Sequence, residues 1–320
     1  MKTVLITGGA GFVGAHLARA CLLRGDRVIV YDLAPTLPAF VEDEDHQLTH
    51  LQSDVMDPGG LVEALVKHGA THVVHTAALL AEPESVHRPR HFLKINAEAV
   101  WQLLDIARHV PHLQRIVAVS TRSVYGHYTP DEGPITEDFM PRPVAFYGAG
   151  KAAADSILEL YRKHYGLDAV SARITGVYGP GQNYSHPLSK MVDAAVGDTA
   201  FKLERGGDYL YEFTYVKDIV IALLKLLDAE HLDQAIYNVG GGRQYRLSDV
   251  AGAVSRMVPG ANIHVGSGLP EEMAPRAGLS TERIRRELGF RTRWSLEEGI
   301  AEFIAWKRSG DYGPDVTGLM

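Results

Sequence analysis

The chain has 320 residues, 46% of them hydrophobic, and a formal charge of −7. It is long enough to bury a sizeable core in one large domain or a domain with an appended lobe. Its charge is spread out, with a local acidic run over Glu42–Asp45 and a basic run over Arg283–Arg286, so no broad cationic face is offered to nucleic acid.

The single cysteine, Cys21, excludes an internal disulfide, and no apolar run approaches the length of a membrane span. Met1-Lys2 leads directly into an apolar strand without a leader pattern. These features predict a soluble, cytoplasmic protein that engages neither membrane nor nucleic acid.

In chain order, short β-branched runs (Val4–Thr7, Arg27–Tyr31, His72–Thr76, Ile116–Ser120, Ala169–Arg173) alternate with helical runs (Phe12–Arg24, Gly60–His68, Phe92–His109, Ala152–Tyr165). The alternation predicts an α/β fold over residues 1–175, a doubly wound parallel sheet with helices on both faces. After Arg173 the rhythm breaks into Gly- and Pro-rich segments at 176–187 and 205–208, a helix at 218–228, a strand at 236–239 and helices near 248–257, 280–288 and 296–307. A smaller C-terminal α/β substrate lobe, residues 176–308, is expected to be interwoven with the first domain, followed by a flexible tail at 309–320.

The stretch "VLITGGAGFVGAHLARACLLRGDRVIVYD" places Gly8, Gly11 and Gly14 between a strand and a helix, with Asp32 closing the next strand. This is the pattern of a Rossmann-type dinucleotide site. Gly8 permits the tight turn, Gly11 lets backbone approach a pyrophosphate, and Gly14 lets the helix pack on the sheet; Phe12 and Val13 stand in the helix's first turn, where amide donors and positive partial charge meet an anion. Asp32 is expected to accept from both ribose hydroxyls and to repel a 2′-phosphate, and Leu33 and the rest of "DLAPTLP" bring no arginine to reverse that, so NAD is expected over NADP. Downstream, "SDVMD" offers Asp54 and Val55 to an adenine, and "HTAA" offers Thr76, Ala77 and Ala78 as a low-bulk strand end.

Tyr147 and Lys151 lie one helical turn apart on one face, although Gly148 and Gly150 between them weaken the helix. The proposed gain is close approach to cofactor or sheet, with the Ala152–Ala154 run restoring helix propensity. A neighbouring ammonium and the positive nicotinamide of an oxidised cofactor both favour phenolate, so Tyr147 is expected to take a proton from a substrate hydroxyl as hydride leaves the same carbon. The end of the fifth strand, "IVAVSTRSVYG", delivers Ser120, Thr121 and Ser123 to the edge where such sheets bind ligands.

In order, "TGGAGFVG", Asp32, "SDV", "HTAA", Asn96, "STRSVYG", "YGAGK", "RITGVYGPG", "FTYVKD" and "YNVGGG" resemble the extended short-chain dehydrogenases/reductases, the group of NAD-dependent epimerases and dehydratases, over nearly the whole chain. The resemblance implies Thr121, Tyr147 and Lys151 as the catalytic set, with Tyr147 and Lys151 also at the cofactor and Lys151 holding its nicotinamide ribose, Asn96 near the cofactor, and a homodimer formed through helices 92–109 and 147–165. Three positions depart from the family pattern. Gly176 replaces its asparagine and Tyr211 its arginine, both of which hold a nucleotide sugar's diphosphate in typical members, and Gly150 replaces a serine, which should alter packing more than chemistry.

Ser123, Tyr178, Tyr211 and Arg276 are the candidate substrate contacts. Arg173, Arg205, Arg243 and Arg246 are further candidates for an anion clamp, each more simply read as a solvated surface side chain. Tyr178, Tyr184, Tyr209, Tyr211 and Phe213 could line a pocket or pack the core. Fifteen histidines fall in no metal-binding pattern, and His72 and His75 should point to opposite faces of a strand.

The expected function is an NAD-dependent epimerase or dehydrogenase oxidising a secondary hydroxyl of a sugar or nucleotide-sugar-like substrate. The alternatives are a dehydrogenase of a small sugar acid or other polar alcohol and, from another class, a non-catalytic NAD sensor. Dehydration ranks lower, because no acidic residue follows Thr121.

Overall fold

The β-branched runs form strands β1 (Thr3–Thr7), β2 (Arg27–Asp32), β3 (Leu48–Gln52), β4 (His72–His75), β5 (Arg115–Thr121) and β6 (Ala169–Ile174) in a computed structural model of the chain. The structure describes residues 1–310 other than 42, 44, 81 and 271–274, and only the backbone of 82 and 83. With Ile236–Val239 the six strands build one sheet in the order Ile236–Val239, β6, β5, β4, β1, β2, β3, every neighbouring pair parallel. The order reverses between β1 and β4, which places a ligand crevice beyond their carboxyl ends.

Near-continuous apolar strands require cover on both faces. Val4, Ile6, Val28 and Val30 enter one core, under helix Phe12–Leu23 and the deeply buried helix Val216–Asp228. Leu5, Ile29, Val73 and Ile116 enter the other, under the helical spans 58–67 and 89–107 and helix Phe146–Tyr165. The chain beyond residue 175 makes small pairings of its own, Gly176–Tyr178 with Phe213–Tyr215 and Phe201–Leu203 with Ile263–Val265, and returns to the main sheet at Ile236–Val239.

Two helices begin earlier than the sequence pattern suggests. Span 89–107 opens with Pro89 at its first position, where a missing N–H costs nothing, and contains a π-helical turn at Lys94–Glu98. Helix Phe146–Tyr165 begins six residues before Ala152, and both of its early glycines are helical. It ends on Gly166 in the left-handed conformation, with Arg162, Lys163 and His164 facing the negative end of its dipole.

Ser309 closes the last helix, Leu296–Ser309, so the expected tail overlaps it by one residue, and all but Gly310 of the remainder lies outside the described residues. Glu42 and Glu44 of the acidic run also lie outside them.

Candidate active site

The turn from β1 to helix Phe12–Leu23 is tight because little else fits. Gly8 has φ +70°, and a β-carbon there would lie 2.6 Å from the Ala77 backbone nitrogen. One on Gly14 would fall 2.2 Å from the Gly8 carbonyl oxygen. Thr76 closes the junction, its hydroxyl donating to the Thr7 carbonyl at 2.8 Å and tying the ends of β1 and β4 together.

Helix Phe12–Leu23 starts at Gly11 in extended backbone, with no side-chain cap and no acidic residue in its first turn. Its leading amides and positive dipole end therefore meet no anion of the helix's own, which fits a pyrophosphate. Phe12 buries its ring against Tyr184, while Val13 is half-buried. At the end of β2, Asp32 accepts from the amides of Ala10 at 3.0 Å and Ala34 at 2.9 Å, so its carboxylate is fixed beside the glycine turn, with Leu33 exposed next to it. Asp54 caps the Met56 amide at 2.9 Å, and Val55 is buried below it.

Beyond β4, Thr76, Ala77 and Ala78 lead to Leu79, which Asn96 grips twice: the side-chain amide donates to the Leu79 carbonyl at 3.0 Å and accepts from its N–H at 3.2 Å. Asn96 is fully buried in the π-helical turn. It therefore acts on the wall of the crevice from inside its helix.

Helix Phe146–Tyr165 seats its first turns against the end of β5. Lys151 is buried and donates to the Val119 carbonyl at 2.8 Å. A β-carbon on Gly148 would lie 2.6 Å from the Ser123 carbonyl oxygen, and one on Gly150 would lie 3.0 Å from the Asn96 β-carbon. The two glycines thus admit the turn after β5 and the helix carrying Asn96. Thr121 ends β5 with its hydroxyl oxygen accepting from the Ser123 amide at 3.1 Å. Tyr147 stands one residue before the Gly148 contact, half-buried and within electrostatic reach of Tyr184.

Burial moves the charges in this layer. It lowers the Lys151 ammonium to about 8, against the opposing pull of Asp155 one helical turn on. His75 is held neutral, pushed down to about 3 by burial and further by the Lys151 charge; its Nδ1 meets the Thr7 hydroxyl at 2.8 Å.

The substrate side departs from expectation in several places. Tyr178 is 1% exposed, with its hydroxyl donating to the Leu296 carbonyl at 3.2 Å, so it packs the core and lines no cleft. Tyr209 and Phe213 are also core residues, while Tyr184 and Tyr211 stay half-buried. Tyr211 stacks on Phe213 at 5.3 Å, and Arg276 reaches His127, Nε to Nδ1, at 3.0 Å.

Arg173 is no surface cation and no anion clamp. It is buried, with Nε donating to Asp155 at 2.7 Å and Nη1 to the Tyr125 hydroxyl at 2.8 Å. Arg246 pairs with Asp208, and Arg243 lies over the Tyr245 ring. Sequence reasoning missed Asp155, whose only signal was a carboxylate four residues beyond the lysine.

Among the described residues, no group of three His, Cys, Asp or Glu side chains could hold a metal, and no helix is long and apolar enough to cross a membrane.

Known proteins share this layout. A UDP-glucose 4-epimerase from Corynebacterium glutamicum is 30% identical, the alignment covering 90% of each chain. A dTDP-glucose 4,6-dehydratase from Streptomyces niveus is 29% identical over 95% of this chain and 92% of its own. The crystal structure of UDP-glucose 4-epimerase from Thermus thermophilus, a complex with NAD, superposes with a TM-score of 0.84 at 28% identity, covering 97% of this chain and 100% of that one. The profile of the NAD dependent epimerase/dehydratase family matches residues 4–240, and the chain belongs to that family.

Proposed function

We propose that the chain is an NAD-dependent epimerase or dehydrogenase that oxidises a secondary hydroxyl of a sugar or nucleotide-sugar-like substrate through Thr121, Tyr147 and Lys151. The observation that carries this reading is the seating of helix Phe146–Tyr165. Lys151 is bonded to Val119 two residues before Thr121, and Gly148 is packed on Ser123 two residues after it. Tyr147 and Thr121 therefore share the sheet edge that also carries the glycine turn. Gly8, Gly11, Phe12, Val13, Gly14, Asp32, Leu33, Asp54, Val55, Thr76, Ala77, Ala78 and Asn96 form a surface suited to NAD, which when bound supplies the hydride acceptor.

Tyr147 removes the hydroxyl proton, and Thr121 holds the same oxygen by hydrogen bond. Lys151 keeps positive charge beside the phenolate that the transfer requires. Asp32, fixed by two amides beside the glycine turn, would repel a 2′-phosphate, which favours NAD over NADP.

A second reading has an observation of its own. A β-carbon on Gly176 would lie 2.9 Å from the Glu212 carbonyl oxygen, so the strand pairing leaves no room for the side-chain donor that relatives place there. Tyr211 supplies a stacked ring in place of a cation. A site with fewer donors for two phosphates suits a sugar acid or other small polar alcohol, with Arg276 and Ser123 as its polar contacts.

Incubating the purified protein with NAD and a panel of UDP-hexoses and sugar acids, while following the reduced-nicotinamide absorbance, separates the readings. Exchange of UDP-hexose isomers without net NADH supports an epimerase, and NADH accumulating with sugar acids supports the second reading. NAD binding without turnover of either class would instead favour a sensor.

We propose further that the chain forms a homodimer through span 89–107 and helix Phe146–Tyr165. Leu93, Trp101 and Leu160 stand 38%, 53% and 53% exposed on these helices, and Leu93, Trp101 and Ile157 line a groove of about 830 Å³. Sedimentation equilibrium should give twice the chain mass for the wild type, and a shift toward monomer for Trp101→Glu. A wild-type monomer at micromolar concentration would refute it.

A further inference from the structure

Beneath the proposed reacting groups lies a buried carboxylate that the proposed chemistry leaves unassigned. Asp155 is 3% exposed and one helical turn beyond Lys151. Its oxygens accept from the Ser120 hydroxyl at 3.2 Å, the Ser171 hydroxyl at 2.5 Å and the Arg173 Nε at 2.7 Å. Three elements, β5, β6 and the helix itself, therefore converge on one carboxyl group. Lys151 and Asp155 are tethered to consecutive residues of β5, the lysine to the Val119 carbonyl and the aspartate to the Ser120 hydroxyl.

An uncharged group in that position would leave Arg173 buried without its counter-charge. A charge buried this deeply is costly unless paired. Its pairing with Arg173 continues outward, since Arg173 Nη1 donates to the Tyr125 hydroxyl, which donates to Asn238 Oδ1, both at 2.8 Å. Of the other groups on this layer, Ser120 and Ser171 are neutral and His75 is held neutral on β4, while Glu137 takes up the far end of the chain, accepting from the Asn238 amide at 2.8 Å and pairing with Arg283.

We infer that Asp155 is a positioning residue for the Tyr147 and Lys151 pair. Held by Ser120, Ser171 and Arg173, its carboxylate fixes the helix that carries the pair on the ends of β5 and β6. This rests on Tyr147 and Lys151 being the reacting pair. Burial pulls the Lys151 ammonium toward neutrality, and the Asp155 charge acts against that pull.

The test compares Asp155→Asn, Asp155→Glu and the double variant Asp155→Asn with Arg173→Met, which leaves no uncompensated arginine should the single variant fold poorly. Without cofactor, Tyr147 ionisation is read as the tyrosinate absorbance difference between each chain and its Tyr147→Phe counterpart. With cofactor, the alkaline limb of kcat is read against pH.

In both Asn variants Lys151 should lose its proton at lower pH. Tyr147 then ionises at higher pH, and the alkaline limb moves down by about one pH unit, a tenfold change in the charged fraction of Lys151. Asp155→Glu restores both. Removing a negative charge acts on Tyr147 directly in the opposite direction, so an upward move of its titration identifies Lys151 as the intermediary.

Unchanged Tyr147 titration and an unmoved alkaline limb in a folded double variant would overturn the inference and establish Asp155 as structural only. A shifted titration in a protein that turns over none of the sugars would uphold it while the proposed function fails.

Discussion

Replacing Tyr147 with phenylalanine should lower turnover on the true substrate by about a thousandfold, within the range for removing a general acid–base group, while NAD binding and folding stay as in the wild type. The phenol is half-buried at the helix's first turn, and Phe keeps the ring that fills that place. The lost atom is the one the proton moves to. The expected signature is a fall in kcat and kcat/KM together, because the interaction is made in the transition state. Steady-state kinetics with calorimetric NAD titration check it, and wild-type turnover by the variant would remove Tyr147 from the mechanism.

Gly14→Ala should have the largest effect on the fold around the dinucleotide turn. The added carbon would meet the Gly8 carbonyl oxygen at 2.2 Å, Gly9 Cα at 2.8 Å and the Thr76 hydroxyl at 2.8 Å. Two of these neighbours are backbone in a turn held by the Gly11 N–H to Gly8 carbonyl bond at 3.0 Å, so relief requires moving the helix off the sheet. A loss of about 3 kcal/mol is expected, the upper end for overpacking a filled site. NAD affinity should fall with it, because the displaced helix end carries the amides proposed to meet the pyrophosphate. Denaturant unfolding with and without NAD measures both, and a variant of wild-type stability would show that the turn has slack the structure does not display.

Much of this architecture was legible because it is local. The alternation of β-branched and helical runs reports burial on two faces, and the spacing of Gly8, Gly11 and Gly14 reports a turn whose geometry depends on few residues. Asp32 was legible for the same reason, since it stands at a strand end beside the turn it serves.

Long-range packing was harder to read. Nothing near Arg173 announces a buried partner, because Asp155 lies 18 residues away on a helix that the fold brings alongside β6. Tyr178 looked like a pocket residue by composition and became a core residue because Gly299 leaves a place for its ring: a β-carbon on Gly299 would fall 2.3 Å from the Tyr178 hydroxyl. The weak start of helix Phe146–Tyr165 was visible as a propensity conflict, but its cause, the Ser123 carbonyl and Asn96, required the third dimension.

The grip of Asn96 on Leu79 has a bearing on how the crevice is built. One amide both gives to and takes from a single residue's backbone, which is what an adjoining strand does for an edge residue. The chain beyond β4 is thereby latched like part of the sheet although it belongs to no strand. That side of the crevice is thereby tied to the helix carrying Asn96, whereas Tyr211 and Arg276 stand on segments added after the sheet's first six strands.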